Sequence, residues 1–210
     1  MHNPSLKLAL VALQGGMWAF GQFAVYAESY SRPVSASATG ANAVAIGESA
    51  AAAGNASTAV GNASKASRDS AVAIGNAATA SSDHGIAIGQ QAKARAQRTI
   101  GLGQRSDAAA TDAVALGTST RTSGRNAVAI GRSSKANQRN ATALGAGSTA
   151  SGTHSAALGT HSRSSNNNSI AIGTGSNASG TNSTAIGLNS SSSQTNAVSL
   201  GTEAQATQTN

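Results

Sequence analysis

The chain has 210 residues and a formal net charge of +7, with 10% charged and 2% aromatic residues. Ala, Ser, Gly, Thr and Asn supply most of the rest, a bias that points to a repeat chain and away from an ordinary globular domain. Cys is absent, which excludes disulfides, thiolate metal sites and a Cys nucleophile.

Residues 1–27 stand apart from the remainder. A weakly basic start is followed by the apolar run Leu8-Ala-Leu-Val-Ala-Leu13 and a second apolar patch from Met17 to Val25. Small or β-branched residues at Val25-Tyr26-Ala27 then suit a signal peptidase, so the segment reads as a secretory signal peptide cleaved after Ala27. Gln14-Gly15-Gly16 interrupts the stretch of about 20 apolar residues that a spanning helix needs. Residues 28–39, with Arg32-Pro33, read as an irregular lead-in. All the aromatics (Trp18, Phe20, Phe23, Tyr26 and Tyr30) precede residue 31. Residues 40–210 must therefore hold together with small and β-branched side chains.

From residue 40 the chain repeats. Glycines fall at Gly47, Gly61, Gly75, Gly89, Gly103, Gly117, Gly131, Gly145, Gly159, Gly173, Gly187 and Gly201, every interval being 14 residues. Such a fixed period marks a solenoid, here of twelve coils. One residue before each glycine stands Ile, Val or Leu, as in Ile46, Ile130, Ile172 and Ile186. Three before it stands mostly Val, Ile or Thr, as in Val44, Val128 and Ile170, with Ala between the two in all coils but those of Gly101 and Ser199. Large-small-large is the alternation of a strand with one buried face. The large pair is expected inside. Three and five residues after each glycine a weaker stripe of Ala, Ser and Thr gives a second strand with small inward residues. A thin, flattened coil follows, and twelve of them at ~4.8 Å each make a rod about 58 Å long.

The repeat glycine ends the first strand at a sharp turn, where φ is expected to be positive. Gly40, Gly54, Gly124, Gly152 and Gly180, seven residues earlier in their coils, mark the second turn. Asn42, Asn126, Asn140, Asn168, Asn182 and Asn196 stand five before the repeat glycine, where Asn can bond nearby backbone or stack as a ladder between coils. His84, Arg98, Asp112 and His154 replace it, so the position is expected to be exposed and tolerant. Two large apolar side chains per coil are a thin return for ordering 14 backbones. The intervening alanines, expected on the outer face, would let another solenoid approach closely, so side-by-side association is expected.

The segments Asn42-Ala-Val-Ala-Ile-Gly47, Asn126-Ala-Val-Ala-Ile-Gly131, Asn168-Ser-Ile-Ala-Ile-Gly173 and Asn182-Ser-Thr-Ala-Ile-Gly187 resemble the head repeats of YadA-like trimeric autotransporter adhesins. The resemblance spans residues 40–210. It implies an all-β, left-handed parallel β-roll in which three chains wrap one axis as a homotrimer. It also implies a cell-surface role: attachment to host extracellular-matrix proteins such as collagen or to host cells, autoaggregation and biofilm formation. The close motif copies, with Asn42, Val44, Ile46, Asn126, Val128, Ile130, Asn168, Ile170, Ile172, Asn182 and Ile186, are the candidate matrix-binding residues on that resemblance. The family continues into a neck, a coiled-coil stalk and an outer-membrane anchor. None of these is read after Gly201, so the sequence is expected to be a head fragment of a longer product, or a truncated or freely secreted homologue.

The basic residues cluster mid-chain. Arg121, Arg125, Arg132 and Arg139 are the candidate patch for an anionic ligand such as a sulfated glycan, against the plainer reading of a solvated face. No cofactor, catalytic centre or metal site is expected. The four histidines, His2, His84, His154 and His161, lack a third ligand, and the acids are spread singly. Nucleic acid is not an expected partner, because stacking platforms are missing after Tyr30. A non-adhesive trimeric solenoid, such as a phage fibre segment or a secreted spacer, is the alternative. An ice-binding array is disfavoured because Thr58, Thr142 and Thr184 stand singly. A solenoid acyltransferase is disfavoured by its different repeat length.

Overall fold

In a computed structural model, described over residues 35–207, the chain is a parallel β-solenoid of about twelve turns, with no helix among the described residues. Strands of two and three residues alternate along the chain. They run from Ser37–Ala38, Val44–Ile46 and Ala51–Ala52 to Val198–Leu200 and Gln205–Ala206. The two-residue strands stack into a 13-stranded sheet and the three-residue strands into a 12-stranded sheet. Each residue pairs in parallel with its counterpart 14 positions away, as Val128 does with Val114 and Thr142. The proposed signal peptide, residues 1–27, lies outside the described residues.

The ladder starts earlier than the sequence suggests. Ser37–Ala38 already pairs with Ala51–Ala52, inside the segment read as an irregular lead-in of residues 28–39. Ala36 and Ala38 are the reason, since they occupy the two small inward positions in phase with Ala50 and Ala52 and pack on the same core.

The large corrections concern which side faces in. The sequence reading put the Val/Ile/Leu pair inside and the intervening alanine outside. The structure reverses both. Ala45, Ala59, Ala73, Ala87, Ala115 and Ala129 have no exposed surface, whereas Val44, Ile74, Leu116 and Ile172 are 36–38% exposed. Steric thickness decides the matter. A Cβ added to Gly101 in one sheet would lie 2.5 Å from the Lys93 carbonyl oxygen in the other. An interior one methyl group deep admits only Gly, Ala, Ser and Thr, and the large side chains must go out. The second strand behaves as expected, with Ala50, Ala52, Ser64 and Ala66 all inside. A further inward position, unrecognised in the sequence, lies four before the repeat glycine. Ala43, Ser57, Ala71, Thr99 and Ala113 hold it and are buried.

At most inward places serine substitutes for alanine by bonding its hydroxyl to the backbone, whereas the buried hydroxyls of Ser106, Ser164, Ser192 and Ser199 have no such partner. Ser57 Oγ donates to the Gly54 carbonyl at 2.6 Å, Ser64 Oγ to that of Gly61 at 2.9 Å and Ser155 Oγ to that of Gly152 at 2.7 Å. Each hydroxyl thus satisfies itself on the carbonyl three residues back, at the start of its own turn. Ser57 and Ser64 make the same bond seven residues apart, so a coil is two similar half-coils joined.

Both turns carry a left-handed residue. Gly131 has φ of +123°, and an added Cβ there would stand 2.7 Å from the Gly145 carbonyl of the next coil, so glycine is needed on both counts. Gly124 at the other turn owes its identity to close approach alone, since its Cβ would collide with the Gln138 carbonyl. The left-handed residue of that turn is the Asn two positions on, with φ of +56° in Asn126 and Asn168. Asn tolerates this conformation better than other side chains. The turns are laddered as well as the strands. Ala50 N–H bonds the Gly47 carbonyl at 3.2 Å within its own turn, while Ala63 N–H bonds the Glu48 carbonyl of the adjoining coil at 2.8 Å.

Widening the interior is therefore costly. Ala129→Leu is expected to destabilise the solenoid by about 1–3 kcal/mol through overpacking. Ala141→Ser is expected to be tolerated, because Ser155 is buried at the equivalent place one coil later with its hydroxyl bonded to the Gly152 carbonyl. Denaturant midpoints of the two variants check this, and an unshifted midpoint for Ala129→Leu would count against the one-methyl interior.

Candidate functional site

With the interior filled by small residues, recognition falls to the outside, which has two flat faces and two turn edges. The outer face of the 12-stranded sheet is an apolar ribbon. One column runs Val44, Thr58, Val72, Ile86, Ile100, Val114, Val128, Thr142, Ala156, Ile170, Thr184 and Val198. Beside it run Ile46, Val60, Ile74, Ile88, Leu102, Leu116, Ile130, Leu144, Leu158, Ile172, Ile186 and Leu200. No charge interrupts either column. Twelve rungs at ~4.8 Å give an unbroken apolar strip, far larger than a soluble single chain normally leaves in water. Seven of the eleven candidate matrix-binding residues, Val44, Ile46, Val128, Ile130, Ile170, Ile172 and Ile186, lie in this ribbon.

The other four, Asn42, Asn126, Asn168 and Asn182, lie at the turn leading into it and are exposed. The amides of Asn126, Asn168 and Asn182 form ladders between coils, whereas Asn42 faces Ala56 in the next coil. Asn126 Nδ2 donates to Asn140 Oδ1 at 3.1 Å, Asn168 Nδ2 to Asn182 Oδ1 at 3.0 Å and Asn182 Nδ2 to Asn196 Oδ1 at 3.1 Å. His154 continues the column against Asn140 at 3.2 Å. The expected inter-coil ladder is thus present, and the left-handed backbone adds a reason for Asn that the sequence reading did not give.

The profile described as YadA head domain repeat (2 copies) matches the chain at residues 38–64, 52–78, 66–92, 94–120, 123–148, 139–162, 150–176, 164–190, 178–204 and 192–210. The chain belongs to the YadA head family. A similar solved structure is the collagen-binding domain of the Yersinia adhesin YadA, 30% identical, with a TM-score of 0.52 over 66% of this chain and 69% of that one. No curated protein matches the sequence. The chain is thus an adhesin-like head, and the family's fold is a structural and binding one rather than an enzymatic one.

In this YadA-type head the four arginines proposed as one patch are divided. Arg121 points outward from the 13-stranded sheet and pairs in register with Lys135. Arg125 and Arg139 stack one coil apart at the turn that carries the Asn column, Asn140 N–H bonding the Arg125 carbonyl at 2.9 Å. Arg132 sits at the opposite turn, directly after Gly131. His154 and His161 are likewise at opposite turns, and among the described residues no three His, Asp or Glu side chains gather as metal ligands.

Two ion pairs form among the described residues, Arg95 with Asp107 and Arg98 with Asp112. Arg98 and Asp112 continue the Asn column with charges, bonding through Nε–Oδ1 at 2.6 Å and Nη2–Oδ2 at 2.9 Å. The hydrogen bonds from Arg98 hold the Asp112 carboxyl below its ordinary range. Partial desolvation opposes this, and the charges of Arg98 and Arg125 assist. A folded value below the unfolded one means that the pair's contribution is present at neutral pH and is lost as pH falls through the folded value. Asp112→Asn is therefore expected to lower the low-salt melting temperature slightly at neutral pH and not at all in strong acid. The difference should also shrink with added salt, because the pair is exposed. Melting curves of both proteins across pH check this.

Proposed function

We propose that this chain is the head of a bacterial surface adhesin that works as a homotrimer of left-handed coils and attaches multivalently to extracellular-matrix protein of the collagen type. The apolar ribbon carries the reading. A charge-free strip of two columns over twelve coils is a self-complementary surface in need of cover, and copies of the same rod, of the same length and pitch, cover it rung for rung. The likeness to a structure named as a collagen-binding domain supplies the ligand class. Autoaggregation and biofilm formation follow as consequences of many such heads on one surface.

The motif residues then divide between two roles. Val44, Ile46, Val128, Ile130, Ile170, Ile172 and Ile186 hold the copies together. Asn42, Asn126, Asn168 and Asn182 stay at the surface beside the seam and face the ligand. Without aromatic anchors after Tyr30, no single contact is expected to dominate, and affinity comes from repetition along the rod and across the copies.

The absolute mass of the chain in solution, by light scattering on a sizing column, is expected to be that of three chains. Ile130→Asp with Ile172→Asp should shift it towards one chain, since each charge would be buried unpaired in the seam. A folded single chain before any substitution would overturn the assembly. Collagen binding is expected to fall steeply as whole 14-residue coils are deleted. A single-coil deletion that abolishes binding while three chains still assemble would point instead to one discrete site.

A further inference from the structure

The face opposite the ribbon carries a row of its own. The outward position of the 13-stranded sheet is held in successive coils by Ala51, Lys65, Thr79, Lys93, Asp107, Arg121, Lys135, Thr149, Arg163, Asn177, Ser191 and Gln205. Of the eight consecutive positions from Lys65 to Arg163, seven are cationic or hydroxyl-bearing, and Asp107 is the exception. Lys65, Lys93, Arg121, Lys135 and Arg163 are all exposed, and none is in an ion pair among the described residues. The single acid of the row, Asp107, is already engaged by Arg95, whose Nε donates to Oδ1 at 2.7 Å.

We infer that this cation row is a docking track for an extended sulfated polysaccharide. The row is straight because the coils stack in register without insertion, Arg121 lying directly over Lys135 and Thr149 over Arg163. From Lys65 to Arg163 it spans seven coil steps, about 34 Å at ~4.8 Å each. A ligand that meets all five cations must be a stiff, linear polyanion that carries charge along its whole length, and a sulfated glycan chain is one. Arg121 and Arg163 offer planar forks that match sulfate oxygens. Thr79 and Thr149 place hydroxyls between cations, where sugar hydroxyls would lie. Single-stranded nucleic acid, the other linear polyanion, is held by bases stacked on aromatic side chains as well as by charge, and residues 31–210 contain no Phe, Tyr or Trp.

Placement on the back of the solenoid matters. The inference rests on the head reading in one respect: if copies cover the ribbon, the opposite face remains outside. Neither the Asn edge nor the ribbon contributes to the row, so the track is separate from the proposed collagen surface.

The test is retention of the full chain on immobilised heparin against increasing salt. Lys93→Gln/Arg121→Gln/Lys135→Gln/Arg163→Gln removes four cations from the row, and Gln205 shows that the position accepts this side chain. Arg68→Gln/Arg125→Gln/Arg132→Gln/Arg139→Gln removes the same charge away from it. The row variant is expected to lose about tenfold or more in heparin affinity, with a shallower salt dependence, while the off-row variant stays near the parent. Equal losses in both would reduce the effect to net charge and overturn the track. Absence of parent retention at physiological ionic strength would also overturn it. Tighter binding of single-stranded DNA than of heparin, with the same dependence on the row, would overturn the glycan assignment. Light scattering on the same samples keeps the outcomes apart, because a lost track with three chains still assembled leaves the head reading intact.

Discussion

Everything in this protein follows from the thinness of its interior. Two parallel sheets face each other across a gap that admits one methyl group or one hydroxyl, as the short approach between Gly101 and the Lys93 carbonyl shows. Such a gap fixes the identity of four positions per coil as Gly, Ala, Ser or Thr. It also expels every larger apolar side chain to the outside. The protein therefore keeps its alanines where other proteins keep leucines, and it carries its leucines on the surface.

This inversion moves the apolar surface from the core to the outside. Small inward residues bury little apolar area, and the backbone ladders of strands and turns carry much of the cohesion within one chain. The hydrophobic surface that would ordinarily reward folding is left on the ribbon. In the proposed assembly the same twelve rungs would couple folding to association. The turns add a steric demand: a positive φ at each, met on one edge by Asn in half of the coils and by residues such as Ala56, His84 and Arg98 in others, and on the other edge by the repeat glycine and the residue two after it, as in Gly131 and Ser133.

The faces are chemically distinct because in-register stacking turns each repeat position into a line. Position by position, the 14-residue unit writes an apolar strip, an amide ladder and a cation row along the rod. Charges scattered in the sequence, such as Arg121 and Arg132, fall on different lines, whereas Lys65 and Arg163, almost a hundred residues apart, fall on one. Exposed ion pairs such as Arg98–Asp112 fit into these lines without organising them.

The sequence by itself determined the period, the coil count, the strand positions, the glycine turns and the family. All of these depend on which residues recur at 14, and recurrence is visible in one dimension. The same motif copies made the Asn ladder legible, since identical amides 14 apart must stack. Which face of each strand points inward was decided only by the tertiary structure. Alternation in Val128-Ala129-Ile130 defines two faces without saying which is buried, and the usual rule that large apolar residues go inside fails once the opposing sheet stands too close. The grouping of cations was hidden for a related reason: neighbours on this surface are set by the pitch of the coil, and proximity along the chain is a poor guide to it.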